Sequence, residues 1–203
     1  MTPHDEHHRL PTDTDDGVLL IISGPSGVGK TTITRGVERT IPDAIFSVSV
    51  TTRQKTEHEV DGVDYWFIDE EEFKRLRDDG DLLEHAEVFG SFYGTPQEWV
   101  DAQLERGRVV ILEIDVQGAT VVKERMPDAL ALFILPPDEP TLLERLRSRD
   151  REDESKIQRR FGEAKREIEY ARSSGAYDHF IVNDEVDRAI SEAVEIVRAR
   201  RGR

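Results

Sequence analysis

A chain of 203 residues is long enough to bury one sizeable core. Its formal net charge of −15 argues against a surface built for nucleic acid or an anionic membrane, and no apolar run is long enough to span a bilayer. The absence of cysteine excludes disulfides and thiolate chemistry and suits a reducing cytoplasm, where we expect the protein to be. Whether it is a monomer or a homo-oligomer is left open.

Residues 1–16 mix Pro, His, Thr and Asp with almost no apolar side chains. Such a composition cannot offset the entropy lost on ordering, so we predict a disordered tail. His4, His7 and His8 could bind a metal, but a solvated polar terminus accounts for them, and no site is assigned there.

From Val18 onward, short apolar runs alternate with longer stretches of helical spacing, a pattern typical of βαβ units. The predicted strands are VLLII, VVILEID, LALFIL and HFIVN, and their continuous apolar character indicates helices on both faces of a sheet. The predicted helices span residues 30–40, 96–105, 139–149, 157–173 and 184–201. We therefore predict one α/β domain over residues 17–203, with three layers and a mostly parallel sheet.

Residues 45–95 follow a different pattern. Phe46, Val48 and Val50 alternate with polar residues, and an aromatic group, YWF, follows at residues 65–67. Such alternation indicates strands with one buried and one polar face. We predict a small, partly antiparallel insert whose polar face can meet a ligand, while residues 17–44 and 96–203 form the core.

A phosphate-binding loop is predicted where GPSGVGKT, at residues 24–31, joins the first strand to the first helix. The glycines allow successive N–H groups to turn inward, and the helix start adds its dipole. Lys30 would reach the terminal phosphates of a nucleoside triphosphate, and the Thr31 hydroxyl would bind Mg²⁺, the expected cofactor. The residues predicted to hold the triphosphate are Gly24, Pro25, Ser26, Gly27, Val28, Gly29, Lys30, Thr31 and Thr32.

The predicted strand VVILEID ends in two acids, Glu113 and Asp115. Residues two apart on a strand face the same side, and ligands bind at the carboxyl ends of such strands. One or both could hold water on Mg²⁺ or contact the phosphoryl acceptor, the alternative being a solvated strand end. We assign Asp115 to the metal with Thr31, and Glu113 to the acceptor.

An arginine-rich segment covers residues 145–165. Arg145 and Arg149 lie four residues apart on one helical face, and Arg160 follows a polar break. By itself, a run of mixed charge is usually a solvated helix with weak ion pairs. A helical hairpin would instead bring the three arginines together.

Six motifs, in chain order, resemble those of guanylate kinases: GPSGVGKTT, SVSVTTR, DGVDYWF, LLEHAEVFGSFYGT, EIDVQGA and IVND. The resemblance extends over residues 18–200 and implies a phosphate-loop kinase core with a GMP-binding insert and a helical, arginine-rich lid. It implies Mg²⁺-dependent phosphorylation of GMP by ATP, and we expect dGMP to be accepted too. The alternatives are a non-catalytic peptide-binding module, which typically loses the working loop, and a phosphotransferase for another small phosphorylated acceptor.

Guanine presents adjacent N1–H and N2–H₂ donors beside the O6 acceptor, so a protein that binds it needs a carboxylate and hydroxyl groups. The resemblance implies Glu84 as the carboxylate, with Ser49 and Thr95 as the hydroxyls. Adenine would leave the carboxylate facing an acceptor nitrogen, and unpaired polar groups in a buried site provide strong discrimination. Without the resemblance, Glu84 would be interpreted as a solvated charge at a strand edge.

For the GMP phosphate, the resemblance implies Arg53 and the hydroxyls of Tyr65 and Tyr93, because a guanidinium binds phosphate through two parallel hydrogen bonds. Core packing is the alternative for the two tyrosines. The complete predicted GMP site is Ser49, Arg53, Tyr65, Glu84, Tyr93, Gly94, Thr95 and Glu113.

The resemblance also gives roles to the lid. Its arginines match Arg145, Arg149 and Arg160, whereas Arg147, Arg151 and Arg159 keep the surface interpretation. The predicted catalytic residues are Lys30, Arg53, Arg145, Arg149 and Arg160. Asn183 of IVND is predicted to lie near the adenine or ribose of ATP.

Position 56 departs from the family pattern, which usually has a second arginine three residues after the first. Thr56 stands there, and Lys55 could supply only a point charge without the planar guanidinium. We expect weaker GMP binding than in a two-arginine site, restored by Thr56→Arg.

Overall fold

The computed structural model describes residues 17–88, 90–149 and 153–202, so the tail predicted over residues 1–16 lies outside the described part. The strands are β1 Val18–Ser23, β2 Ala44–Phe46, β3 Val50–Thr51, β4 Trp66–Phe67, β5 Leu82–Val88, β6 Ser91–Pro96, β7 Val109–Glu113, β8 Leu130–Leu135 and β9 His179–Val182. The helices are α1 Lys30–Thr40, α2 Glu70–Asp79, α3 Gln97–Glu105, α4 Val116–Arg125, α5 Glu139–Arg149, α6 Glu154–Ser174 and α7 Val186–Arg201.

The larger sheet has the strand order β2-β7-β1-β8-β9, and every pair in it is parallel. Leu20 and Ile22 pack into a cluster with α1 and α7 on one face, and Leu19 and Ile21 pack with α3, α4 and α6 on the other. Because helices bury both faces, the strands read as continuous apolar runs. The predicted three-layer α/β core is confirmed.

The smaller sheet has the order β4-β3-β6-β5 and mixes one parallel pair with two antiparallel pairs. Helix α2 packs on it through the fully buried Phe73. The insert was expected to begin at residue 45, but Ile45 and Phe46 pair with β7 in the larger sheet. Alternation indicates which side of a strand is polar, and it does not indicate which sheet edge accepts the strand's hydrogen bonds.

Helices α5 and α6 form a hairpin and pack against each other through an apolar cluster of Leu142, Leu146, Ile157 and Ala164. The bounds of α1 and α5 match the prediction, while α6 begins three residues early and α7 begins at Val186. Helices α2 and α4 were not predicted, because α2 buries only one side chain and α4 carries an internal glycine and a weak apolar pattern. No helix in the described ranges has the length and apolar character needed to cross a membrane.

Candidate active site

The phosphate loop joins β1 to α1 at the carboxyl end of the larger sheet. Fully buried Val28 fixes the loop in the core. Gly29 has a φ of 97°, and a Cβ there would lie 2.6 Å from Asn183 Nδ2, so the close approach requires glycine. No side-chain hydrogen bond caps the start of α1, and the dipole at a helix N-terminus favours a bound anion.

Lys30 reaches back over this loop. Its Nζ donates to the Gly24 carbonyl oxygen at 2.5 Å and to that of Pro25 at 3.1 Å. Ser26, Thr31 and Thr32 are exposed around the same turn. The amine and hydroxyl groups therefore surround the position where phosphates would meet the helix start.

The carboxyl end of β7 lies beside the loop because β7 pairs with β1, with Glu113 opposite Ile22. Thr31 Oγ1 donates to Glu113 Oε1 at 2.8 Å. Asp115 lies beyond the strand, where its Oδ1 caps α4 by accepting from Gln117 N at 2.9 Å and Gly118 N at 2.8 Å. The prediction that Glu113 and Asp115 share one strand face is wrong, because β7 ends at Glu113.

Asn183 connects the end of β9 to the loop. Its side chain is almost fully buried, and Nδ2 donates to the Val28 carbonyl oxygen at 2.7 Å. The Asn183 carbonyl oxygen accepts from Arg145 Nη2 at 3.0 Å. This side chain therefore supports the phosphate loop directly, and its predicted contact with adenine or ribose stays a prediction.

The α5–α6 hairpin, predicted to be a lid, reaches the loop through Arg160, whose Nη2 donates to Ser26 Oγ at 2.8 Å. Arg145 and Arg160 thus lie on the sheet side of the α5–α6 hairpin. Arg149 is the last residue of α5, and its side chain lies outside the described part of the chain.

The other lid arginines agree with the surface interpretation where they are described. Arg147 pairs with Glu154 at 2.6 Å and Arg159 with Glu163 at 3.6 Å, each pair substantially exposed. Arg151 lies outside the described residues.

A buried carboxylate lies on β5 of the smaller sheet. Glu84 on β5 faces Thr95 on β6, and Thr95 Oγ1 donates to Glu84 Oε1 at 2.6 Å. Glu84 is only 5% exposed, and this burial raises its pKa to about 7, with the charge of Asp115 adding to the rise. Ser49, half-buried, precedes β3, and Gly94 follows Tyr93 on β6.

Arg53 is held among aromatic rings. Its guanidinium lies 5.4 Å from the Tyr65 ring centroid and 5.6 Å from that of Phe67, and the Tyr65 and Tyr93 rings are 5.8 Å apart. Burial raises the pKa of Tyr65, which keeps its hydroxyl protonated as a donor. The three side chains predicted to hold the GMP phosphate therefore lie together.

Glu59, which the sequence interpretation did not include, binds the end of Arg53. Its two carboxylate oxygens accept from Arg53 Nη2 at 2.5 Å and Nη1 at 3.0 Å. Thr56 adds two bonds to Glu59 Oε2, from its backbone N and its Oγ1, both 2.8 Å. Arg53 holds the pKa of Glu59 at about 2, so the pair is ionised at neutral pH.

Comparisons with known proteins agree on one family. The sequence profile described as guanylate kinase matches residues 17–200. A guanylate kinase of Symbiobacterium thermophilum is 44% identical over 187 residues, which cover 92% of this chain and 87% of that protein. One of Hahella chejuensis is 47% identical over 185 residues, covering 91% and 88%.

Solved structures add the fold. The guanylate kinase of Anaplasma phagocytophilum matches with a TM-score of 0.73 and 34% identity, covering 95% of this chain and 90% of that one. The SH3-kinase fragment of tight junction protein 3 matches with a TM-score of 0.51 and 14% identity, covering 92% and 58%, which indicates a shared fold alone.

Proposed function

Because this chain belongs to the guanylate kinase family, we propose that it phosphorylates GMP with ATP, yielding GDP and ADP, by direct transfer. The observation that carries the proposal is the buried Glu84–Thr95 pair, which lies against the start of α4, the helix that follows β7. A carboxylate and a hydroxyl at this depth match the adjacent N–H donors of guanine. The intact Lys30 and Thr31 support catalysis rather than binding alone.

On the donor side, residues Gly24 to Thr32 would bind the phosphates of ATP. The backbone N–H groups at the start of α1 would receive the phosphate oxygens, and Lys30 would leave the loop carbonyls for the terminal phosphates. Asn183 holds the loop in this shape through the Val28 carbonyl.

The residues beside the loop fit Mg²⁺. The hydroxyl of Thr31 and the carboxylate of Glu113 put two oxygen donors together, and Mg²⁺ prefers oxygen ligands and keeps several waters. When bound with ATP, the ion would neutralise charge on the phosphates. We assign the metal contact to Thr31 and Glu113, with Asp115 further away as a helix cap.

On the acceptor side, Glu84 would accept from guanine N1–H and N2–H₂, with Thr95 and Ser49 completing the base site. Arg53, Tyr65 and Tyr93 would bind the phosphate. Gly94 lies between the base site and the phosphate site on β6.

For transfer, an oxygen of the GMP phosphate attacks the γ-phosphorus of ATP. The bond from that phosphorus to the bridging oxygen breaks, and ADP leaves with the electron pair. The attacking oxygen is already anionic, so the protein needs no general base and no covalent intermediate. Arg145, Arg149 and Arg160 would align the two phosphates and balance the charge on the transferred group.

Closure of the lid would also exclude water, which otherwise accepts the phosphoryl group and wastes ATP. Acceptance of dGMP and a cytoplasmic location stay predictions from the sequence.

The experiment is ADP formation from ATP and Mg²⁺ with GMP, dGMP, AMP, UMP and CMP offered singly. A reaction without acceptor measures wasteful hydrolysis, and Lys30→Ala controls for contaminating kinases. Strong turnover with GMP and little with the other ribonucleotides supports the proposal. Nucleotide binding without turnover of any acceptor contradicts it.

A further inference from the structure

Helix α4 is capped at its start and tied to β5 near its end. At its start, Asp115 binds the N–H groups of Gln117 and Gly118. Near its end, Arg125 Nη1 donates to the carbonyl oxygens of Leu82 and Leu83 on β5, each at 2.8 Å. The helix is therefore held against the strand that carries Glu84.

Gly118 lies against the carboxylate itself. A Cβ at this position would lie 2.7 Å from Glu84 Oε2 and 3.3 Å from Glu84 Cδ. Thr95 holds the other carboxylate oxygen at 2.6 Å, and Glu84 is almost fully buried. Glu84 therefore occupies a slot between Thr95 and the helix surface, and that slot exists because residue 118 has no side chain.

We propose that Gly118 is a specificity-determining position of the acceptor site, because its missing side chain lets Glu84 lie against α4 in the position from which it accepts from guanine. The inference rests on the proposed GMP phosphorylation and deepens it. Gly118 acts through Glu84 and is a positioning residue.

The variant Gly118→Ala tests the slot with a single methyl group. Alanine is the better helix former, so the local helix has no reason to unfold. Arg125 ties the helix to β5, whereas the carboxylate is the end of a flexible side chain, so the carboxylate gives way by a few tenths of an ångström. That movement lengthens the Thr95 bond and misaligns Glu84 for the N–H donors of guanine.

We expect Gly118→Ala to raise KM for GMP about tenfold, the effect of losing one hydrogen bond to a charged group. KM for ATP should stay unchanged. The preference for GMP over IMP, which lacks the N2 amino group, should fall, because Glu84 no longer aligns with both donors. For stability, Gly162→Ala is the matched control, since a Cβ at that helical position meets nothing within 4 Å.

A double-mutant cycle separates this role from general damage. In a Glu84→Ala background the slot is empty, so Gly118→Ala should change KM for GMP no further. Unchanged GMP kinetics in Gly118→Ala, an equal rise in both KM values, or a full effect without Glu84 would each overturn the inference.

Calorimetric binding of GMP to the wild-type protein separates the two proposals. If the wild type binds GMP but transfers no phosphate, the proposed function fails, and the Gly118 variant is judged by its GMP dissociation constant. If the wild type phosphorylates GMP and Gly118→Ala equals it, the slot inference alone fails. A wild type that does not bind GMP overturns both.

Discussion

Replacing Glu84 with glutamine keeps the shape of the side chain and removes its charge. In the free protein this carboxyl is 5% exposed, and its pKa is raised to about 7 from an ordinary value of 4.5. Ionising this carboxyl inside the protein therefore costs free energy, because the buried carboxylate loses the hydration that it has in the unfolded chain.

The sign of the effect on stability follows from linkage. Because the folded pKa is above the unfolded one, the protonated group favours the fold fully below pH 4.5, and this contribution is lost as pH rises through about 7. The shift corresponds to a loss of about 3 kcal/mol at pH 8 but only about 1 kcal/mol at pH 5.5. The stability of Glu84→Gln relative to wild type should therefore grow by about 2 kcal/mol between these pH values.

The assay is urea unfolding of both proteins at pH 5.5 and pH 8 without nucleotide. Changes in packing caused by the new amide do not depend on pH. They therefore cancel when the stability difference between variant and wild type at pH 5.5 is subtracted from that at pH 8. Glu87→Gln is the matched control, because Glu87 lies on the same strand with an exposed side chain. If the difference in unfolding free energy between Glu84→Gln and wild type is the same at both pH values, the raised pKa assigned to the buried Glu84 carboxyl is wrong. Wild-type KM for GMP should also rise below pH 7, since only the carboxylate accepts guanine's donors.

Three further variants test other parts of the site. Lys30→Ala should abolish transfer while circular dichroism shows an unchanged fold, and residual turnover above 1% of wild type, on the order of the loss of one charged transition-state contact, would contradict its role. Asn183→Ala removes the bond to the Val28 carbonyl and should raise KM for ATP severalfold without changing KM for GMP; an effect on GMP alone would contradict the loop assignment. Thr56→Arg adds a charge beside the ionised Arg53–Glu59 pair and should lower KM for GMP, most clearly at low salt; an unchanged KM would contradict the argument that threonine at position 56 weakens GMP binding.

The core and the phosphate loop could be predicted from local sequence. Continuous apolar strands mean burial on both faces, and Gly24 to Thr31 carry the whole predicted phosphate-binding motif in a single turn whose conformation depends on glycine. The helices α5 and α6 could also be predicted from local sequence, because α5 has helical spacing and a clear apolar face.

The proposed acceptor site could be predicted only from the resemblance to guanylate kinases. Glu84 and Thr95 are eleven residues apart in the chain and meet because β5 and β6 pair antiparallel in a particular register. Glu59 had no signal of its own, since an acid among charged residues looks solvated until Arg53 is folded against it.

What the sequence determined by itself is therefore the layered core and the loop in which phosphate binding is predicted. The tertiary structure alone decided that Glu113 rather than Asp115 meets Thr31, that Ile45 and Phe46 join the larger sheet, and that Gly118 makes room for Glu84. Local patterns record propensity and burial over a few residues, whereas these contacts depend on where strands end and on how closely α4 approaches β5.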